Sequence, residues 1–486
     1  MVEDEGVRLA NRPIPVVAHP SEADSRAIGK EARATVPRAS HATFEPSADR
    51  PDPVTLLEDQ ATTRVQELVP IRYGRMLVSP FTFFRGAALI MASDLSTTPM
   101  SGLTAQICGD AHLSNFGVFA SPERQLVFDC NDFDETLPGP WEWDVKRLAA
   151  SVVVAGRNRG HAKSVRTAAI VELGRSYRES MRQMATLSNL EVWYFHVDVS
   201  EVVSGLESQA AASGSKAQSQ MAATATKAIA KARTKDSMKA LDKLTHVVDG
   251  ERRIINDPPL LVPVEDVFPE MEAEQFTVMF RELLRRYRAT LSTDRRQLLE
   301  EYHFSQMARK VVGVGSVGTR VWVVLMRGAG EDDVLFLQAK EAEASVLERF
   351  TKKSQYGNHG ARVVAGQRLM QASSDIFLGW QRTDGVDGAS HDYYVRQLQD
   401  WKGSIDTETM RPEGLEAYGK LCALSLARAH ARSGDRFAMA AYLGNSDNFE
   451  KALAKFAESY ADQNERDYEA FAAACKSGRL HAEEGM

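Results

Sequence analysis

Residues 108–117 read CGDAHLSNFG, and NDFDET follows at 131–136. Asp110 and Asn115 stand five positions apart, and an Asp-Phe-Asp begins at Asp132, 17 residues beyond Asn115. Phosphoryl transfer uses this spacing: one Asp faces the attacking hydroxyl, while the Asn and a second Asp hold Mg²⁺ on a nucleotide. Asp110 is the candidate base. Asn115 and Asp132 are candidate metal ligands and Asp134 an extra one, since carboxylates and an amide oxygen suit a hard cation. His112 has two readings. It either orients the loop or touches phosphate, or it is a hydrogen-bonded structural histidine. Asp129 competes for the metal role, but Phe133 and the run of charges favour Asp132.

A second constellation lies far downstream. Gly313, Gly315 and Gly318 form a GxGxxG, with Ser316 inside it, between two apolar runs that read as strands. A dinucleotide-binding turn needs a helix next, and VWVVLM reads as a strand. A β-hairpin folded over phosphates fits instead, its glycines letting the backbone approach the anion. Lys340 ends the apolar strand LFLQAK, where a buried ammonium needs an anionic partner. The α/β-phosphates of a nucleotide would supply one. An acidic partner on the following helix is expected too, and Glu343 and Glu348 both qualify. Asp144 opens a helix just after the metal loop, where a carboxylate can accept backbone N–H groups and brace the catalytic loop; Arg147 lies one turn on. Arg75 and Arg85 stand in basic and aromatic surroundings suited to an anionic group, and Arg85 fits a structural ion pair equally well.

Two rival chemistries use the same residues. GDAH matches one element of two-metal phosphoesterases, which need GDxxD and GNH segments with more histidines. DFDET matches the nucleophile loop of haloacid-dehalogenase-type phosphatases, which should be followed by alternating strands and helices. A mainly helical stretch follows here. Each rival explains one motif, whereas phosphoryl transfer explains three.

Elements must carry these residues. Residues 1–55 hold 7 of the 18 prolines and a single aromatic, Phe44, which predicts a disordered tail. Helical periodicity follows from Thr55, then a β-rich stretch whose strand LVFDC delivers Asp132. Residues 143–195 read as helices. Lys227, Lys231, Lys235, Lys239 and Lys243 recur every four residues and predict one helix face, solvated or drawn to an anion. From 311 strands alternate with turns, a helix spans 341–373, two more strands follow, and the end is helical.

With 486 residues, 43 % of them apolar, the chain can bury a sizeable core. A net charge of −7 argues against a nucleic-acid binder. Four scattered cysteines lack CxxC spacing, so neither a zinc site nor a disulfide framework is expected. No stretch approaches 18 apolar residues, and the acidic start has no signal core, so no membrane partner and a cytoplasmic location are expected.

SPFTFFRGAA, CGDAHLSNFG, NDFDET with PGPWEWDVKRLAAS, KVVGVGSVGTR, LQAKEA and LARAHARSGD together resemble a bacterial family of unknown function. That family is grouped with protein-kinase-like proteins such as the aminoglycoside and choline phosphotransferases. Their signature, HGDxHxxN with a later (I/V)DFxD and G-P…D, is matched by Gly109, Asp110, His112, Asn115, Asp132, Asp134 and Asp144. Cys108 replaces the usual His. The order differs, because the glycine loop and Lys340 follow the catalytic block. LCALSLARAHARSGD, residues 421–435, resembles the helix that normally enters that block directly, which is the pattern of a circular permutation.

The resemblance implies an α+β, two-lobed protein-kinase-like fold in circularly permuted order, with a mainly helical large lobe. The tail would span 1–55, the large lobe 56–304, a small β-rich nucleotide lobe 305–400, and C-terminal helices 401–486 would complete the large lobe. The expected function is ATP- and Mg²⁺-dependent phosphate transfer to a small-molecule hydroxyl. Asp110 and His112 would be catalytic, and Gly313, Gly315, Ser316, Gly318 and Lys340 would hold ATP. Asn115, Asp132 and Asp134 would hold metal, with Asp144 and Arg85 supporting. A nucleotide-binding module without catalysis and a nucleotidyl transferase are the alternatives.

Overall fold

The computed structural model describes residues 20–248, 251–330, 332–384, 388–398, 401–403 and 410–485 of a mixed α+β chain. Within the segment read as a disordered tail, residues 1–19 lie outside the described residues, but the rest is ordered. Helix α1 (Glu22–Thr35) starts at Ser21, whose hydroxyl and the Asp24 carboxylate cap each other's backbone N–H groups. A Cβ on Gly29 would come within 2.0 Å of the Ala438 carbonyl, so only glycine permits this helix approach. His41 bonds the Tyr442 hydroxyl at 2.6 Å, and Phe44 stacks edge-on to Tyr460. Composition misled because this segment buries little surface of its own and uses a few contacts on the C-terminal helices instead.

Helices α2 (Val69–Leu77) and α3 (Pro80–Gly86) lead into two short antiparallel ladders. Strand β1 (Thr104–Ile107) pairs with β4 (Leu137–Pro140), and β2 (Phe116–Ala120) with β3 (Leu126–Cys130). Their registers, Ile107 opposite Leu137 and Phe116 opposite Cys130, set the 108–115 loop beside 131–136. Helix α4 (Trp141–Asn158) is buried on every side from Trp141 to Gly156, as a helix at the centre of a bundle must be. Helix α5 (Lys163–Met184) packs beside it. The lysine stripe is not one helix face: α6 (Lys216–Arg233) stops, Asp236 caps α7 (Ser237–Leu244), and the five lysines divide across the break.

A six-stranded antiparallel sheet follows. Its strands are β5 (Leu261–Pro263), β6 (His303–Lys310), β7 (Val321–Arg327), β8 (Val334–Ala342), β9 (Gly379–Asp384) and β10 (Ser390–Gln397), in the order β9-β10-β8-β7-β6-β5. Strand β5 supplies one edge and helix Ala273–Arg288 covers the outer face, so the sheet and its cover draw on residues before 305. Strand alternation divides β8. Leu335, Leu337 and Ala339 join Phe280 and Tyr287 on the outer side, while Phe336 packs with Ala240 and Leu241 on the inner side. Lys340 shares that inner face.

Helix α8 (His359–Met370) supports the sheet, and α9 (Pro412–Ala431), α10 (Arg436–Leu443) and α11 (Asn448–Lys476) pack against α4 and α5. The end of α9 meets the start of β1: Gln106 N–H donates to the Ser433 hydroxyl at 2.9 Å, and a Cβ on Gly434 would lie 2.9 Å from the Thr104 carbonyl.

Candidate functional site

Strand β8 projects Lys340 toward the 131–136 loop. Its ammonium is ion-paired to Asp134 and lies 3.9 Å from Asp132. The lysine side chain is 4 % exposed, whereas Asp132 and Asp134 are 33 % and 27 % exposed, so the carboxylates open onto solvent while the cation does not. Burial works against the Lys340 charge, but Asp132 and Asp134 outweigh it and hold the ammonium above its usual pKa. Burial likewise opposes the Asp132 carboxylate, and Lys340 and Arg396 outweigh it downward. Tyr394, opposite Lys340 on β10, donates its hydroxyl to Asp134 at 2.8 Å.

The 108–115 loop is held from below. Asp144 accepts the N–H groups of Cys108 and Gly109 at 2.8 and 2.9 Å, and His430 from α9 stands 3.3 Å away. Asp144 thus bonds the backbone of the neighbouring loop rather than capping its own helix, since α4 starts at Trp141 after Pro140. Gly109 has φ +78°, and a Cβ there would meet the Glu135 carbonyl at 2.6 Å, so the turn demands glycine. Asn115 turns its amide N–H to the Asp110 carbonyl at 2.7 Å. It sits beside the 131–136 loop because Asn131 N–H donates to its backbone carbonyl at 2.8 Å.

Asp110 is gripped by Arg147 of α4, whose Nε donates to Oδ1 at 2.5 Å. Burial pushes the Asp110 carboxyl up to about 7; Arg147 pulls it down, and the nearby Asp132 pushes the same way as burial. His112 is buried, with Nε2 3.7 Å from Asp110 Oδ2. Burial, then Arg147 and Arg85, hold its imidazole well below the usual pKa, so it is neutral. Its Nδ1 has no partner among the described residues.

Asp129 resolves differently from its neighbour Asp132. It is buried, ion-paired to Arg428 of α9, and accepts the Ser425 hydroxyl at 2.7 Å and Cys130 N–H at 2.9 Å. It is a structural anchor, which leaves Asp132 as the open carboxylate.

The glycine segment is a ten-residue connection rather than a tight hairpin. Val314 and Val317 are buried against α2 and its surroundings. Arg75 donates to the Gly313 carbonyl at 2.6 Å, and Val65 N–H to that of Gly318 at 2.8 Å. A Cβ on Gly315 would lie 3.5 Å from the Arg85 carbonyl, and Arg85 is one of the charges acting on His112. Thr319 caps the Ser316 carbonyl at 2.8 Å. Among the described residues no hydrogen bond joins Gly313, Gly315, Ser316 or Gly318 to Lys340, Asp132 or Asp134. The site thus brings together Asp110, His112, Asn115, Asp132, Asp134, Asp144 and Lys340, with the glycine segment and Arg85 flanking it.

Neither Glu343 nor Glu348 pairs with Lys340. Asp134 takes that place, because β8 faces the 131–136 loop directly. Instead, the Glu343 carbonyl accepts from Arg362 of α8, and Glu348 sits in the short 3₁₀ turn Val346–Arg349. The sequence reading gave no role to Arg362, which is 2 % exposed and donates to the carbonyls of Asp134, Thr136 and Glu343 at 2.7 Å each. It also gave none to Arg147, Tyr394 and Arg396. For the three arginines the signal is a guanidinium inside an otherwise apolar helix or strand, since buried guanidinium groups need partners. Arg396 donates to the Asn131 carbonyl at 3.0 Å. Its charge, then burial, push the Lys402 ammonium down to about 7.

Among the described residues no three His, Cys, Asp or Glu side chains converge as a preformed metal group. The donor set that fits a hard cation is Asp132, Asp134 and the Asn115 amide oxygen, with the Lys340 ammonium already sharing both carboxylates. No helix is long and apolar enough to cross a membrane among the described residues.

The chain belongs to a family described as an uncharacterized protein conserved in bacteria (DUF2252), whose model matches residues 64–474. No curated protein and no solved structure matches the chain.

Proposed function

We propose that this family member is an ATP- and Mg²⁺-dependent phosphotransferase acting on the hydroxyl of a small molecule, built on a protein-kinase-like fold in circularly permuted order. One observation carries the reading: Asp132 and Lys340, 208 residues apart in the sequence, stand 3.9 Å from each other. A single triphosphate can touch a lysine and a metal-holding aspartate only if they face one cleft. The contact of Ser433 with Gln106 supports the permuted order, because an unpermuted chain would run from α9 straight into β1 at that point.

Lys340 would offer its ammonium to the α/β-phosphates, giving up part of its pairing with Asp134. Bound Mg²⁺, held by Asp132, Asp134 and Asn115, would neutralise phosphate charge. Asp110 would orient the acceptor hydroxyl and take its proton, helped by a pKa pushed up to about 7. Arg147, committed to one carboxylate oxygen, fixes the direction in which the other faces. Asp144 keeps the loop's amides in place, and neutral His112 stands behind Asp110.

The same Arg147 contact favours a second reading, a module that binds nucleotide without transferring phosphate, because a guanidinium damps the base. Thermal-shift titration with ATP and Mg²⁺, on wild type and Asp132→Ala, tests both. No metal-dependent stabilisation of the wild type rejects both readings. Stabilisation lost in Asp132→Ala, with ATP turnover on a panel of hydroxyl metabolites, supports the phosphotransferase; stabilisation without turnover leaves the binding module.

A further inference from the structure

The outer face of the sheet carries a half-open cavity of about 290 Å³ beneath helix Ala273–Arg288. Phe276, Phe280, Leu283, Leu284 and Tyr287 recur at helical spacing and turn one side of that helix toward it. Trp322, Val324, Leu337 and Val395 form its floor on β7, β8 and β10. A helix ordinarily closes onto a sheet until the side chains interdigitate, and voids larger than a water molecule are few. Here the helix is held at two points. Phe280 packs on Phe304 of β6, with ring centroids 3.9 Å apart, and the Tyr287 hydroxyl donates to the Phe377 carbonyl just ahead of β9. The cavity left between helix and floor equals the space of about ten water molecules at about 30 Å³ each.

Water is poorly served there, because each molecule needs two to four polar partners and the helix side and the floor are apolar. Among the described residues the charged groups that line the cavity are already matched. Arg309 pairs with Glu67 at 2.5 Å, and Arg320 and His391 share Glu341 at 3.1 and 2.7 Å. Asp384, at the exposed end of β9, accepts the Ser390 hydroxyl at 2.5 Å. A charged ligand would lose its hydration without gaining a counter-charge, whereas an uncharged one loses little. The walls also favour rings. Phe268, Phe276, Phe280, Tyr287, Trp322 and Tyr393 all line the space, and aromatic pairs gain energy beyond the area they bury. Phe268 and Trp322 already stack with centroids 6.0 Å apart. A dry cavity of about 150 Å³ holds one benzene ring, so this one has room for about two.

We propose that this cavity is a binding site for an uncharged aromatic molecule of about two fused rings. It is separate from the cleft that holds Asp132 and Lys340. Ala339 lines the cavity, and Lys340, the next residue on β8, points to the opposite face of the sheet. The inference therefore does not rest on the phosphotransfer reading.

The full chain is titrated calorimetrically at neutral pH with 2-naphthol, 2-naphthoate and 1-octanol. 2-Naphthol is expected to bind at a single site, about tenfold or more tighter than 2-naphthoate, whose carboxylate would be desolvated without a partner. It should also bind about threefold or more tighter than 1-octanol, an uncharged chain with the same hydroxyl. Val324→Phe puts a ring into the floor of the cavity. It is expected to weaken 2-naphthol about tenfold or more, with the urea midpoint unchanged or raised, as filling a cavity does. Leu283→Trp fills the same space from the helix and should weaken binding likewise. Absence of 2-naphthol binding would overturn the site. 2-Naphthoate binding as tightly would overturn the uncharged class, and 1-octanol binding as tightly would overturn the aromatic one. Binding untouched in both variants would overturn the location. Leu283 is only half-buried, so its variant decides the location even if Val324→Phe does not fold.

Discussion

Two carboxylates three residues apart meet opposite fates. Asp129 is 3 % exposed, and its guanidinium partner Arg428, at 1 %, is as deeply buried. Asp132 is one-third exposed, and its cation Lys340 is shared with Asp134. Both aspartates are joined to a residue hundreds of positions later, yet one contact is sealed and the other is open on one side. A sealed pair with every lone pair satisfied holds two segments together. A pair with one face free can exchange its partner for a ligand. The difference separates scaffold from site more clearly than residue type does.

The sharpest way to break that contrast is to remove the later partner in each case. Arg428→Ala leaves a buried, uncompensated Asp129 and should cost about 3–5 kcal/mol in urea unfolding. Any folded fraction should still be stabilised by ATP and Mg²⁺. Lys340→Met keeps the side-chain volume and leaves two carboxylates with access to water, so about 2 kcal/mol or less is expected. Here nucleotide-dependent stabilisation should vanish. If the two substitutions cost the same, the contrast between sealed and open pairs is wrong.

Asp110 gives a subtler test. Its carboxyl, raised to about 7 in the folded chain, binds a proton that the unfolded chain releases. Stability from this group is therefore present at low pH and lost as pH rises from about 4 to about 7, with a slope of at most about 1.4 kcal/mol per pH unit. Asp110→Asn should remove that slope in urea unfolding at stepped pH. A steeper loss in the variant would contradict the burial account. Smallest of all, Lys227→Ala on the divided lysine stripe should stay within about 0.5 kcal/mol of wild type, by the same measurement.

The convergence of Asp110, Asn115, Asp132 and Asp134 was legible because they fall within one contiguous stretch of polar residues between short strands. Lys340 was legible as a lysine where a strand should be apolar. Its partner was not, since whether β8 faces a helix or the 131–136 loop depends on register and tertiary placement, which local patterning does not encode. The glycines were recognised as a turn, but Val314 and Val317 between them carried the information that the turn is packed down. The ordered segment from Glu22 to Phe44 is hard to read because its stability lies in contacts such as Gly29 with Ala438 and His41 with Tyr442, more than 400 residues away. Arg147 and Arg362 were visible only as charges in apolar runs.

The distance between Asp129 and Arg428, 299 residues, also has a meaning in time. At a synthesis rate of about 5–20 residues per second, the ribosome needs on the order of tens of seconds to deliver the arginine after the aspartate has emerged. Lys340 arrives in the interval, while the floor beneath the Asp132 loop is still unfinished. Most of the chain must therefore wait, partly assembled, for its last helices. In a cell, protection of the nascent chain during that wait becomes part of what this connectivity requires.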